Sequence, residues 1–226
     1  MSLELITAFS IASWQTLIMV LAAGTATTLL GLPLGLYLFM TRRPDIWPKA
    51  RFHKSCHFMI NAWRSIPFII LLIAIIPLTR LLVGTSIGTA AAIVPLTLAA
   101  TPFFARLIDN ALQEVPTGLI EFGQAIGATG YQLIMKILFP EILPAFIKII
   151  MMTLIHLVSY SAMAGVVGGG GLGDFAIQYG YQRFNIKIIL ITVIILIIFV
   201  QGLQMLGEWW IIRINHHNGD PQCDSS

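Results

Sequence analysis

The sequence predicts an all-α polytopic membrane protein: five transmembrane helices, N-terminus outside and C-terminus inside, with a helical loop between helices 3 and 4. Three observations carry this. Only 10% of the residues are charged, 57% are hydrophobic and the mean hydropathy is +0.86, whereas a soluble domain carries about 25% charged residues. Several long runs lack charge altogether, and the basic residues cluster on alternate sides of those runs.

A spanning helix needs about 20 mostly apolar residues. Residues 5–41, 65–79, 81–105, 149–173 and 188–207 carry no charged side chain, and the second run extends back through 58–63 with only Arg64 interrupting. The spans are therefore placed at 14–40, 58–79, 87–106, 149–168 and 187–208. With no water in the bilayer core, each must satisfy its own backbone as helix. No Lys or Arg precedes residue 42, so the first run lacks the basic start of a signal peptide. Arg42, Arg43, Lys49, Arg51 and Lys54 follow it, and by the positive-inside rule this loop lies in the cytoplasm. Alternation then puts 107–148 and the C-terminus inside, with Arg64, Arg106, Lys136, Lys148 and Arg213; only Arg80, Arg183 and Lys187 fall outside. Arg80 and Arg106 stand at span ends, where long side chains snorkel to the interface.

Residues 1–213 form one membrane domain, and 214–226 a polar, disordered tail. His216 and His217 in that tail have no companion ligands, and Cys56 and Cys223 form no metal or disulfide pattern. Pro33, Pro67, Pro77, Pro95 and Pro102 fall in the spans, where neighbouring helices can satisfy the carbonyls they free. A net charge of +3 is too small to imply nucleic acid. "GGGGLG" at 168–173 has the form G-x-G-x-x-G, but no strand precedes it and no acid follows at the required distance. It reads instead as a tightly packed helix end, continuing a small-residue face at Ser161, Gly165 and Gly169. No lysine follows a glycine, so no phosphate-binding loop can be written. No Ser/His/Asp set, HExxH or Cys cluster is present, so the chain is not visibly an enzyme, and if it uses ATP another chain must hydrolyse it.

Thr153, His156, Tyr160 and Met163 share one face of span four at helical spacing. With Ser161, the last three are pathway or gate candidates. The alternative reading of His156, a hydrogen-bonded structural histidine facing the bundle, is the favoured one, since buried polar groups find partners. The lack of a deep carboxylate argues against an ion-driven carrier.

The 109–145 loop opens with Asp109, Glu114 and Glu121 and reads as helix, break, helix. Leu119, Ile120, Phe122 and Ile126 surround a first short helix, and Gly127 and Gly130 break it. "TGYQ" at 129–132 is a capping box for a second. That helix carries Leu133, Ile134, Ile137 and Leu138 on one face, and Pro140 and Pro144 end it. Exposed apolar side chains on such an island call for a groove on a partner or on the membrane.

The stretch resembles the EAA loop of ABC-importer permeases, E-A-A-x₃-G-x₉-I-x-L-P. Glu121, Gly127, Ile137 and Pro140 stand at the matching spacings, with Phe122 and Gly123 in place of the alanines and Phe139 in place of leucine. "RSIPFIILL", "DNALQEVPTGLIE" and "YSAMAGVVGGGGLGDFAIQYGYQRFN" are similar to the permease family of bacterial methionine importers, and the likeness runs from about residue 12 to 213. It implies a multi-pass inner-membrane permease for methionine, L- and D-, that binds no cofactor itself. It further implies a permease homodimer, two ATPase subunits holding ATP and Mg, and an external substrate-binding protein. Glu121, Ala125, Gly127, Ile137 and Pro140 would then serve ATPase coupling. A permease for another amino acid, or a carrier that needs no ATPase, remains open.

Overall fold

The computed structural model describes residues 3–42 and 51–218, and among them every regular element is helical. Arg43, Lys49 and Cys223 lie outside the described residues. Among the described residues four helices are long and apolar enough to cross a membrane, or five spans if one sharply bent pair counts as one.

Helix α1 (Leu3–Arg42) has 40 residues, about 60 Å of helix against a hydrocarbon core of about 30 Å. It begins well before residue 14, so it extends beyond one membrane surface. Gly31 and Gly35 let it lie close on α5 (Thr89–Gln113): a Cβ on Gly35 would stand 2.7 Å from the Ala105 carbonyl oxygen. This small-xxx-small pair is the packing device that lipid favours.

The second span is not the continuous helix expected over 58–79. It is divided into α2 (Arg51–Arg64), α3 (Phe68–Ala74) and α4 (Ile76–Val83), with 104° between α2 and α3. The cause is local. Pro67 bars its predecessor from helical geometry, and the chain turns at 64–67 with no side chain capping α3. Pro77 sits in the first turn of α4, where its missing N–H costs nothing.

Helix α5 contains Pro95 and Pro102 and continues to Gln113, past the predicted end of span three. The island follows: α6 (Thr117–Ala125), α7 (Gly130–Gln132), a π-helical turn (Leu133–Leu138) and α8 (Phe139–Glu141). Helix α9 (Leu143–Gly165) returns, with Pro144 in its first turn rather than closing the helix before it. At the far end Gly168, Gly170 and Gly171 take positive φ, and α10 (Gly171–Phe175) tucks in beside α1. Gly171 N–H donates to Gln15 Oε1 at 2.9 Å and Leu172 N–H to Thr16 Oγ1 at 2.8 Å. Gly165 has no room for a side chain, because the Gly173–Asp174 backbone lies against it. The small-residue face thus packs α9 against α10 of the same chain. A π-helical turn (Ala176–Tyr181) leads to α11 (Ile186–Asn218). Helix α11 runs into the segment predicted as a tail, and only 6% of its most apolar window is buried.

The two largest of four buried clusters among the described residues lie toward opposite ends of the bundle. One joins Phe39 of α1, Ile108 and Leu112 of α5 and Ile149 of α9 to Ile120, Leu133, Ile134 and Leu138 of the island. The other, toward the glycine-rich end, joins Met19, Val20, Phe68, Leu96 and Leu157.

Candidate functional site

The island is built as two short helices closed on each other. Gly127 takes φ +74°, which ends α6; Gly130 does not, and instead opens α7. Thr129 closes the capping box: its N–H donates to Gln132 Oε1 at 3.0 Å, and Gln132 N–H to Thr129 Oγ1 at 3.4 Å. The π-helical turn precedes Pro140, whose missing N–H cannot continue an α ladder.

Helix α6 has two faces. Ile120 and Gly123 are buried, with Gly123 against Leu133 and a Cβ there only 2.9 Å from Ile137 Cδ1. Phe122 and Ile126 are 59% and 62% exposed, beside exposed Glu121, Ala125 and Gly127. Tyr131, at 72%, and Met135 are also exposed, on the segment after the Gly127 break. Exposed large apolar side chains on a helix, aromatics among them, are the material of an interaction surface. Of the five coupling candidates, Glu121, Ala125, Gly127 and Pro140 are exposed, whereas Ile137 packs inward beneath Gly123. Phe122 therefore sits outside the fold, and Gly123 makes the close inward fit.

Where the island meets the bundle, the structure holds a charged cluster that the sequence did not announce. Asp109 is fully buried in α5 and does not belong to the loop. Its Oδ2 accepts from Arg106 Nη1 at 3.2 Å, with His57 Nε2 at 3.8 Å and Arg42 Nη2 at 4.0 Å. Arg106 also lies 2.7 Å from His57 Nδ1, so it turns inward instead of snorkelling. Arg42 donates to Gln113 Oε1. One carboxylate thus ties α1, α2 and α5 together. Its signal was Arg106 and Asp109 three apart on a helix.

Farther along the bundle, the 64–67 break opens a cavity of about 210 Å³. Phe103 of α5, His156 and Tyr160 of α9, and Trp63, Arg64 and Phe68 from either side of the break line it. The rings form a continuous wall: Phe68 stacks on Tyr160 at 4.5 Å, and His156 lies 4.6 Å from Phe103 and 5.9 Å from Tyr160. His156 makes ring contacts, and no hydrogen bond of its side chain occurs among the described residues. Arg64, which interrupts the second predicted span, stands over Phe103 of α5 at 5.7 Å. Trp63 anchors this geometry by donating its indole N–H to the Leu98 carbonyl at 3.1 Å. That carbonyl lies four residues before Pro102, which has no N–H to give it.

The predicted pathway residues separate. His156 and Tyr160 line the cavity and Met163 is exposed. Ser161 is buried and donates to the Val158 carbonyl at 2.7 Å, and Thr153 is buried and donates to the Ile149 carbonyl at 2.8 Å. Neither shares the cavity face.

Residues 31–211 match the family described as "binding-protein-dependent transport system inner membrane component". A probable D-methionine transport system permease protein of Vibrio cholerae serotype O1 is 51% identical over 205 residues, covering 91% of each chain. The D-methionine transport system permease protein of Escherichia coli K12 is 51% identical over 152 residues, 67% of this chain and 70% of that one. The fold matches a chain of the inward-facing MetNI methionine ABC transporter with a TM-score of 0.92 at 44% identity, covering 95% of this chain and 99% of that one. A match at TM-score 0.75 and 21% identity to an amino acid ABC transporter with histidines shares the fold alone. The chain belongs to the family of binding-protein-dependent transport system inner membrane components.

Proposed function

We propose that this chain is the membrane-spanning permease of an ATP-driven methionine importer of the bacterial inner membrane. The carrying observation is its likeness to the methionine transporter chain at 44% identity over 95% of its length. The relatives are named for D-methionine, so both D- and L-methionine are proposed as cargo. Five spans are few to enclose a pathway, and two copies face each other. Two separate ATPase subunits hold ATP and Mg, and a binding protein delivers methionine on the opposite side.

In this reading the N-terminus is outside and the island lies in the cytoplasm. The patch of Phe122, Ala125, Ile126 and Tyr131 docks on the ATPase, with Glu121, Gly127 and Pro140 at its margin. Ile137 supports α6 from beneath. Ile120, Leu133 and Leu138 are packed in one cluster with Phe39, Ile108 and Ile149. A push on α6 is therefore delivered to α1, α5 and α9 together, because close-packed interiors transmit displacement instead of absorbing it. His156, Tyr160 and Met163 face the route, and the glycine-rich end forms the outer closure.

The test is reconstitution of the chain with its ATPase and binding protein in vesicles. ATP-dependent uptake of labelled methionine is expected, with an excess of other amino acids failing to compete. Absence of uptake, or displacement of methionine by an unrelated amino acid, overturns the assignment.

A further inference from the structure

The cavity at the 64–67 break has the composition of a ligand site. Arg64 lies within the bent pair of helices that forms the candidate second span, and charged residues in spans pair with a partner or mark a substrate pathway. Arg64 has no carboxylate within 4.0 Å among the described residues; its one recorded contact is the face of Phe103. The backbone beside it is irregular, with no side-chain cap on the helix that follows. Irregular backbone at membrane depth is tolerated where it is buried in protein or lines a water-filled cavity, and Arg64, Ile66 and Phe68 line one. Two interactions hold the place open. Trp63 is fastened to the carbonyl that Pro102 frees, and Phe68 is stacked on Tyr160. An apolar cavity of about 150 Å³ holds benzene. The volume here, about 210 Å³, takes an amino acid with an unbranched side chain.

We infer that this cavity is a transit site within the permease, where Arg64 takes the α-carboxylate of the cargo and the wall of Phe103, His156 and Tyr160 takes its apolar side chain. A guanidinium presents a planar fork that matches a carboxylate. Aromatic rings suit a thioether, since sulfur packs favourably at ring edges. No acid lines the cavity, so the site reads the carboxylate and the side chain and leaves the amine to water. The inference rests on the reading of this chain as a methionine permease, and its test separates the two.

The permease–ATPase complex is prepared without the binding protein. Binding of methionine is read by saturation-transfer NMR on the ligand methyl group, which detects weak contacts. Norleucine, which keeps the carboxylate and lacks the sulfur, should compete within about tenfold of methionine, because a sulfur–aromatic contact is modest. Methioninol, which lacks the carboxylate, should compete at least about tenfold more weakly, as expected on losing a charged hydrogen bond. Arg64→Gln should weaken methionine binding at least about tenfold, and Arg64→Lys should recover part of it. Equal competition by methioninol and methionine on the wild-type complex overturns the inference even if no Arg64 variant assembles. So does undiminished binding by an assembled Arg64→Gln complex, which would leave Arg64 as a packing partner of Phe103. Uptake by the complete wild-type system is measured alongside: methionine uptake with no carboxylate dependence in the cavity defeats the transit site alone, and no methionine uptake at all defeats the functional reading.

Discussion

In the island, α6 ends at Ala125, Gly127 turns the chain, and it is helical again at Gly130, with the new helix capped reciprocally by Thr129 and Gln132. At the 64–67 break, α3 starts on Pro67 with no side-chain cap. The backbone N–H groups of the break are met by nearby carbonyls, Ser65 donating to Asn61 and Ile66 to Trp63, but Trp63 also reaches the Leu98 carbonyl on another helix. The island satisfies itself within a few residues and can present a fixed surface. The break is tied to a neighbouring helix through Trp63 and leaves Arg64 lining a cavity. A docking element benefits from the first arrangement and a pathway from the second.

The comparison is tested most strongly on α6. Its neighbours Phe122 and Gly123 point opposite ways, so their substitutions should fail differently. Phe122→Ala removes an exposed aromatic from the docking patch. It should weaken retention of the ATPase by about 2 kcal/mol, the scale of an aromatic hot spot, and leave permease stability within about 0.5 kcal/mol. Gly123→Leu drives a side chain into Leu133 and Ile137 and should cost about 1–3 kcal/mol of stability through overpacking. Thermal unfolding in detergent and co-purification of the ATPase read the two effects separately. If Phe122→Ala destabilises the permease instead, the island is not rigid in the way described.

Asp109 links the two regions, because it gathers cations from α1, α2 and α5. Asp109→Ala should destabilise the bundle by about 1–3 kcal/mol, the cost of stranding a buried charged partner. The loss is moderated because Arg42 and Arg106 remain partly exposed and can reach water. Asp109→Asn should recover part of it by keeping acceptors in place. Unfolding midpoints of the two variants decide the point, and equal midpoints for Ala and wild type would remove the cluster from the account.

Gly127 isolates backbone from contact. A Cβ there meets nothing within 4 Å, so any penalty comes from φ +74° alone. Left-handed geometry costs an ordinary residue about 1–2 kcal/mol, and Asn visits it more readily. Gly127→Val should therefore reduce ATP-driven uptake by about tenfold while the permease dimer stays intact, and Gly127→Asn should retain most activity. Matching losses in both would move Gly127 from a backbone role to direct contact with the ATPase.

How far each region was legible follows from the range of its interactions. The island's break at Gly127, the capping box and the inward face of Leu133, Ile134 and Leu138 are set by residues a few positions apart, so they read directly. Phe122 was read as one of several apolar residues around α6; its outward direction depends on what Ile120 and Gly123 pack against. The second span read as one helix because composition cannot show a bend, although Ile66–Pro67 carried the signal. Asp109 looked like the start of a loop because it follows a predicted span end, and its burial depends on His57 and Arg42 arriving from elsewhere. The cavity was half visible: the spacing of His156 and Tyr160 put them on one face, but nothing local brings Trp63, Arg64 and Phe103 to it.

The smallest predicted effect examines that long-range placement. Pro102 leaves the Leu98 carbonyl without its helical donor, and Trp63 supplies one. Trp63→Phe should cost about 1 kcal/mol for the lost hydrogen bond. Pro102→Ala gives position 102 an N–H able to serve the same carbonyl and should be close to neutral in this respect, since a carbonyl accepts twice. In the double variant the helix repairs what the indole no longer provides, so the combined loss should fall short of the sum by about 0.5 kcal/mol or more. Stability should return without the tether, and the Arg64 side of the cavity should then be free to move. Strict additivity in this cycle would mean that Trp63 is held by the packing of its ring, and that the freed carbonyl does not set the cavity's shape.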